Sequence, residues 1–196
     1  MARAFRAVFV GFILLSSVAA RVAAGPLEDA TAAIERRAYA TALQFLRPLA
    51  NQGNADAQAV LGDMYFKGQG VARDYAEAVN WFRKAADQGN AEAQMKLGFM
   101  YVTGEGIARD DAEAVKWFHL AADKGQANAQ CFLGLMYFEG RGVPQDYVSA
   151  HMWLNLAVAG GIEDAAKYRD ALTAKMTFTQ IEEAQRFAHD WKPRQK

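Results

Sequence analysis

Apolar positions along this chain keep a helical rhythm, and the whole pattern returns every 36 residues. Between Asn54 and Gly89, Gln58, Leu61, Gly62 and Tyr65 fall at i, i+3, i+4, i+7 spacing, which puts them on one face of a helix. A second stripe follows at Ala78, Trp81, Phe82 and Ala85. Both stripes return as Gln94, Leu97, Gly98, Tyr101 with Ala114, Trp117, Phe118, Ala121, and again as Gln130, Leu133, Gly134, Tyr137 with Ala150, Trp153, Leu154, Ala157. Each unit therefore predicts two helices, and a fixed repeat of this length predicts an array in which each unit buries its apolar face against its neighbours.

The punctuation has the same period. Gly68-Gln69-Gly70, Gly104-Glu105-Gly106 and Gly140-Arg141-Gly142 separate the two helices of each unit. A phosphate-binding loop would need a third glycine, a Lys-Ser/Thr pair and a preceding strand, so the triplet is read as a helix-to-helix turn needing positive φ. Asp74, Asp110 and Asp146 are placed to cap the second helices, with Glu77 and Glu113 as capping-box partners. Gly53, Gly89, Gly125 and Gly161 are placed to end second helices in the left-handed conformation. A glycine inside a helix costs about 1 kcal/mol relative to alanine. Its return at 62, 98 and 134 therefore predicts a close approach by another helix. The three tryptophans are expected to be buried anchors, each removing roughly 200 Å² from water.

The flanks are weaker copies. Leu27 to Arg37 and Tyr39 to Gln52 predict an opening hairpin with a bend at Pro48 and Phe45 in the tryptophan position. Ile162 to Met176 predicts one further first helix. Thr177 caps a last helix with Gln180 as its capping-box partner and Ile181, Ala184, Phe187, Ala188 and Trp191 on one face, and this pair closes the array. The resulting division is 1–24, 25–53, 54–89, 90–125, 126–161 and 162–196.

Composition changes the picture in three ways. In 196 residues, 22 basic and 22 acidic side chains cancel without long runs of one sign, which argues against nucleic acid and a polybasic membrane surface as partners. Residues 1–24, with Arg3 and Arg6 before an apolar stretch from Ala7 to Ala20, read as a secretory signal peptide cleaved after Ala20 or Ala24. A periplasmic or secreted protein is expected, with no membrane span after cleavage, because about 14 apolar residues fall short of the roughly 20 needed. Cys131 is the only cysteine, so packing alone must hold the chain, and its alignment with Ala59 and Met95 predicts a semi-buried apolar role.

The residues Ala55, Ala57, Gln58, Leu61, Gly62, Met64, Tyr65, Gly68, Gly70, Val71, Asp74, Ala78, Trp81, Phe82, Ala85, Ala86 and Gly89, followed closely in the next two units, with Phe118 kept but Leu154 in place of phenylalanine, resemble the Sel-one-like repeat of the tetratricopeptide-like superfamily. The resemblance implies an all-α, right-handed α-solenoid of antiparallel helix pairs: three 36-residue repeats plus flanking hairpins. It also implies an adaptor for protein complexes, often exported and tied to the bacterial envelope. Cysteine-rich relatives have been described as penicillin-binding or β-lactam-hydrolysing, but they carry a cysteine pair per repeat that this chain lacks.

In that fold the first helices line the concave face. Helical spacing leaves Asp56, Ala59, Asp63, Phe66; Glu92, Met95, Phe99, Val102; and Asn128, Cys131, Leu135, Phe138 free of the internal stripe. Phe66, Met95, Phe99, Val102, Leu135 and Phe138, edged by Asp56 and Glu92, are the expected site for a protein or peptide partner. A cell-wall glycan or muropeptide is the alternative ligand. No cofactor, metal or catalytic residue is expected: His119 aligns with Arg83 and Asn155 at an exposed position, His151 aligns with Val79 and Val115 as a packing residue, and no G-x-S-x-G turn occurs.

Overall fold

The protein is described by a computed structural model covering residues 25–194. The expected signal peptide lies outside the described residues. Among those residues the chain forms ten helices: α1 (Pro26–Glu35), α2 (Tyr39–Asn51), α3 (Ala55–Lys67), α4 (Tyr75–Asp87), α5 (Ala91–Thr103), α6 (Asp111–Ala122), α7 (Ala127–Glu139), α8 (Tyr147–Ala159), α9 (Glu163–Thr173) and α10 (Phe178–Asp190). The helices α1–α2, α3–α4, α5–α6 and α7–α8 pack as hairpins, and each second helix also packs on the first helix that follows it. The fold is all-α, as the periodicity predicts.

Within a unit the hairpin closes on one phenylalanine or leucine. A Cβ built on Gly62 or Gly98 would stand 2.8 Å from the ring of Phe82 or Phe118, and one on Gly134 would stand 2.8 Å from Leu154 Cγ. These glycines let the second helix come close. Phe82, Phe118 and Leu154 are among the largest fully buried side chains. The tryptophans are less buried than expected. Trp153 is 5% exposed, but Trp81 and Trp117 are half-buried, with the Lys84 ammonium 4.1 Å from the Trp81 ring. Each indole packs toward the preceding unit's cluster, so its exposure depends on what lies outside it.

Two seams join successive units. At one end, Gly53, Gly89, Gly125 and Gly161 have φ of +92°, +90°, +85° and +91° two or three residues beyond the helix end. The next residue then donates its N–H five residues back, from Asn54 to Leu49, Asn90 to Ala85, Gln126 to Ala121 and Ile162 to Ala157. This is the Schellman pattern. Asn54, Asn90 and Gln126 then serve at once as N-caps of α3, α5 and α7, so a single residue ends one unit and starts the next. Buried Gln58, Gln94 and Gln130 donate from Nε2 to the carbonyls of Ala50, Ala86 and Ala122 in the preceding helix. At the other end, the second glycine of each turn presses on the preceding unit. A Cβ on Gly106 would be 2.3 Å from the Tyr75 carbonyl, and one on Gly142 2.2 Å from that of Asp111. Arg141 donates to both carboxylate oxygens of Asp111, and the hydrogen bonds from Arg109 first and Arg141 second hold that carboxyl below its ordinary range.

Asp74, Asp110 and Asp146 cap α4, α6 and α8 by accepting backbone N–H groups. Glu77 and Glu113 do not complete the boxes; Glu113 pairs with Lys116 along its own helix instead. Thr177 and Gln180 do form the reciprocal box. Helix α2 continues through Pro48 to Asn51.

The closing end differs from expectation. Helix α9 occupies the position of a fourth first helix, but α10 packs on α8 and not on α9. The cause is legible in α9: Arg169, Asp170 and Thr173 stand where Leu, Gly and Tyr stand in the other first helices, so no apolar stripe awaits a partner. Phe187, placed on the buried face of α10 by spacing, is 42% exposed, and Ala184 alone in that helix is fully buried. After α10 the chain turns back. Trp191 meets Trp153 edge to face at 6.3 Å, and the Arg194 N–H donates to the Asp123 carbonyl.

Candidate functional site

Successive first helices bring one aromatic side chain each to a shared groove. Phe66 of α3 meets Phe99 of α5 at 6.5 Å and 73°, and Phe99 meets Phe132 of α7 at 6.0 Å and 52°. Tyr75 extends the row at one end, 5.3 Å from Phe66, and Phe132 stacks on buried Phe118 at 5.1 Å at the other. A groove of about 500 Å³ runs along this row, floored by Met95 and bordered by Lys96, Glu105 and Asn128. A second hollow of about 310 Å³ lies beside it between α1 and α3, lined by Ile34, Val60 and Phe82 among others, and Lys96 and Glu92 lie on its edge. Groove volumes in this range accommodate a few large side chains or one small molecule.

The eight residues expected to form the site divide. Phe66, Met95 and Phe99 line the groove. Val102 packs into the core around Phe118 and Met136 instead. Phe138 is turned toward Tyr147, 6.0 Å away, with the Lys175 ammonium 4.9 Å from its ring. Leu135 is half-buried and outside the groove lining. Asp56 accepts from Asn90 Nδ2 and Glu92 from Gln126 Nε2, so these acids form a ladder between cap residues of successive units. Glu92 and Asp63 also flank Lys96, at 3.9 and 3.5 Å.

Phe132 and Tyr75 are groove residues that spacing missed. Phe132 aligns with Val60 and Lys96, at the border of the strip, and only the third unit places an aromatic there. Its i+4 relation to Asn128 was the available signal. Tyr75 opens a second helix and reaches the groove across the turn.

The histidines serve packing. His119 is half-buried rather than exposed: its Nε2 is hydrogen-bonded with the Tyr137 hydroxyl at 3.0 Å, and its ring lies edge-on to Trp153 at 5.9 Å. Arg83 makes the corresponding contact to Tyr101 one unit earlier, at 2.6 Å. Burial lowers the His119 pKa, and Arg194 adds to this against an opposing pull from Asp123. His151 is buried between α8 and α9; Asn155 Nδ2 donates to its Nδ1, and its Nε2 donates to Thr173 Oγ1. Burial, then Arg169, lower its pKa against Asp170. Cys131 is half-buried, and burial raises its thiol pKa. Among the described residues, no group of His, Cys, Asp and Glu is arranged to hold a metal, and no helix is long and apolar enough to cross a membrane.

Comparison with known proteins follows the same repeats. The Sel1 repeat pattern matches residues 55–90, 91–126 and 127–162. Among solved structures, a Sel1 repeat protein from Oxalobacter formigenes is 34% identical with a TM-score of 0.70, covering 73% of this chain and 59% of its own. The protein c5321, a protective antigen present in uropathogenic Escherichia coli strains that displays an SLR fold, is 28% identical with a TM-score of 0.61, covering 85% and 44%. The chain thus spans 59% and 44% of the lengths of these two similar proteins. Comparison with curated proteins gives no match.

Proposed function

Since this chain belongs to the Sel1 repeat family, whose repeats are scaffolds, we propose that it is an exported adaptor holding a peptide segment of a partner protein in the aromatic groove. The observation that carries this is the unbroken row Tyr75, Phe66, Phe99, Phe132 beside a cavity of about 500 Å³. Each first helix adds one ring, so the groove runs across units as an extended or helical peptide would. The ring geometry favours a peptide over a glycan. Rings tilted 52–73° to one another present edges and clefts for side chains. A sugar platform needs flat faces turned outward.

The export element rests on residues 1–24 and makes the periplasm or the extracellular space the place to look. The test is capture of partners from an envelope extract with the wild-type chain and with a Phe99→Asp, Phe132→Asp double variant. A partner that is retained by the wild type and lost from the double variant supports the groove. Equal retention by both refutes it, and retention of soluble muropeptides in place of protein transfers the site to the glycan reading.

A further inference from the structure

The outer face of the second helices carries one docking site that the chain fills with its own C-terminal segment. Helix α10 lies on α8, and Met152, Leu156 and Trp191 pack against one cluster. Trp191 covers Trp153 at 6.3 Å. Beyond it, a Cβ built on Gly125 would lie 3.7 Å from the Trp191 ring and 3.8 Å from Pro193. The Arg194 N–H donates to the Asp123 carbonyl at 2.7 Å, and its guanidinium pairs with the Asp123 carboxylate at 3.1 Å. The occupant is thus an amphipathic helix ending in an aromatic residue, followed by proline and arginine. The receptor is a Trp, a Leu, and an Asp just before the helix-ending Gly.

The 36-residue period builds the same receptor one unit earlier: Trp117 for Trp153, Leu120 for Leu156, Asp87 for Asp123 and Gly89 for Gly125. There nothing covers it among the described residues. Leu120 is 47% exposed, and Trp117 is half-buried where Trp153 is 5% exposed. Asp87 is exposed with no ion pair among the described residues. Three positions differ: Lys116 replaces Met152 at the edge, Arg83 replaces His119 and donates to the Tyr101 hydroxyl, and Lys124, in the place of Gly160, donates to the Gly89 carbonyl. None of them removes the indole, the leucine or the carboxylate.

We propose that the notch formed by Trp117, Leu120 and Asp87 binds a partner's amphipathic helix that ends in an aromatic residue followed by proline and arginine. The apolar contacts supply area and the Asp87 carboxylate selects the basic end by a charge-assisted pair. This surface is on second helices and is separate from the aromatic groove.

A fluorescent peptide copying residues 177–194 supplies the occupant's chemistry, and anisotropy against the chain without residues 1–24 reads binding. Leu120→Asp should weaken binding at least tenfold and Asp87→Asn about three- to tenfold, while Phe99→Asp leaves it unchanged. Leu120 and Asp87 are exposed, so these variants should keep the wild-type circular dichroism. Absence of binding, or binding indifferent to Leu120→Asp, overturns the proposal. So does binding that responds to Asp123→Asn alone, which would mean exchange with the chain's own α10. A wild-type dimer dissolved by Leu120→Asp would assign the notch to a second copy and overturn it as well.

Discussion

Gly104 and Gly106 stand two residues apart in one turn, both with positive φ, at +76° and +71°. Their surroundings differ. A methyl on Gly104 would meet nothing closer than 3.6 Å, an ordinary contact, whereas one on Gly106 would sit 2.3 Å from the Tyr75 backbone carbonyl of the preceding unit. Replacing either by alanine imposes the left-handed cost of an L-residue, about 1–2 kcal/mol. Gly104→Ala should cost little more than that. Gly106→Ala must also push two units apart at a seam made of backbone, which cannot swing away like a side chain end; overpacking of this kind adds about 1–3 kcal/mol. The difference between the variants, about 1–3 kcal/mol, measures the seam alone because the conformational cost cancels. Urea unfolding followed at 222 nm reads it, with hydrogen exchange to locate the loosening at α4 and α6. Since 1 kcal/mol shifts the melting temperature of a chain this size by roughly 2–4 °C, Gly106→Ala should also melt several degrees below Gly104→Ala. Equal stability of the two variants within about 0.5 kcal/mol would refute a close approach between units at this turn.

Two further outcomes follow from buried titratable groups. His119 and His151 both have folded-state pKa values below the ordinary 6.5, burial being the main cause. The unfolded chain takes up these protons first, so stability is full above about pH 6.5 and falls as the pH drops from there toward the folded-state values. Urea midpoints at pH 7.5 and 5.5 should show this loss, and His151→Gln should reduce it; an unchanged midpoint in the wild type would contradict the burial of both rings. Cys131, with its thiol raised by burial, should react with a disulfide reagent well below the rate of free cysteine at pH 7.5 and reach that rate in urea. A fast reaction in the native protein would place the thiol in the open.

Where sequence and structure part is instructive in particular residues. Gln58, Gly62 and Gly106 were marked by their return at equal intervals, and the structure gives each a neighbour at the same offset in every unit. Asn54 and Asn90 escaped notice because a cap shared between units looks like part of a loop. The tryptophans are expected from their size to be buried anchors, yet a ring pointing toward the neighbouring unit stays partly open wherever no further element covers it. In the groove, Phe66, Met95 and Phe99 were found from spacing, whereas Phe132 belongs to one unit only and Phe138 turns away to Tyr147.

The sequence by itself determined the period, the helix pairs, the turns and the aspartate caps of the second helices, because in a linear array the contacts that build a unit are local or reach only the next unit, and so repeat with it. Tertiary structure decided what breaks the period. Polar residues on α9 left α10 no partner there, so it crossed to α8, buried Trp153 and left Trp117 half-covered. A stripe of apolar residues states that a helix has a face to bury. Which surface accepts it depends on what the rest of the chain leaves open.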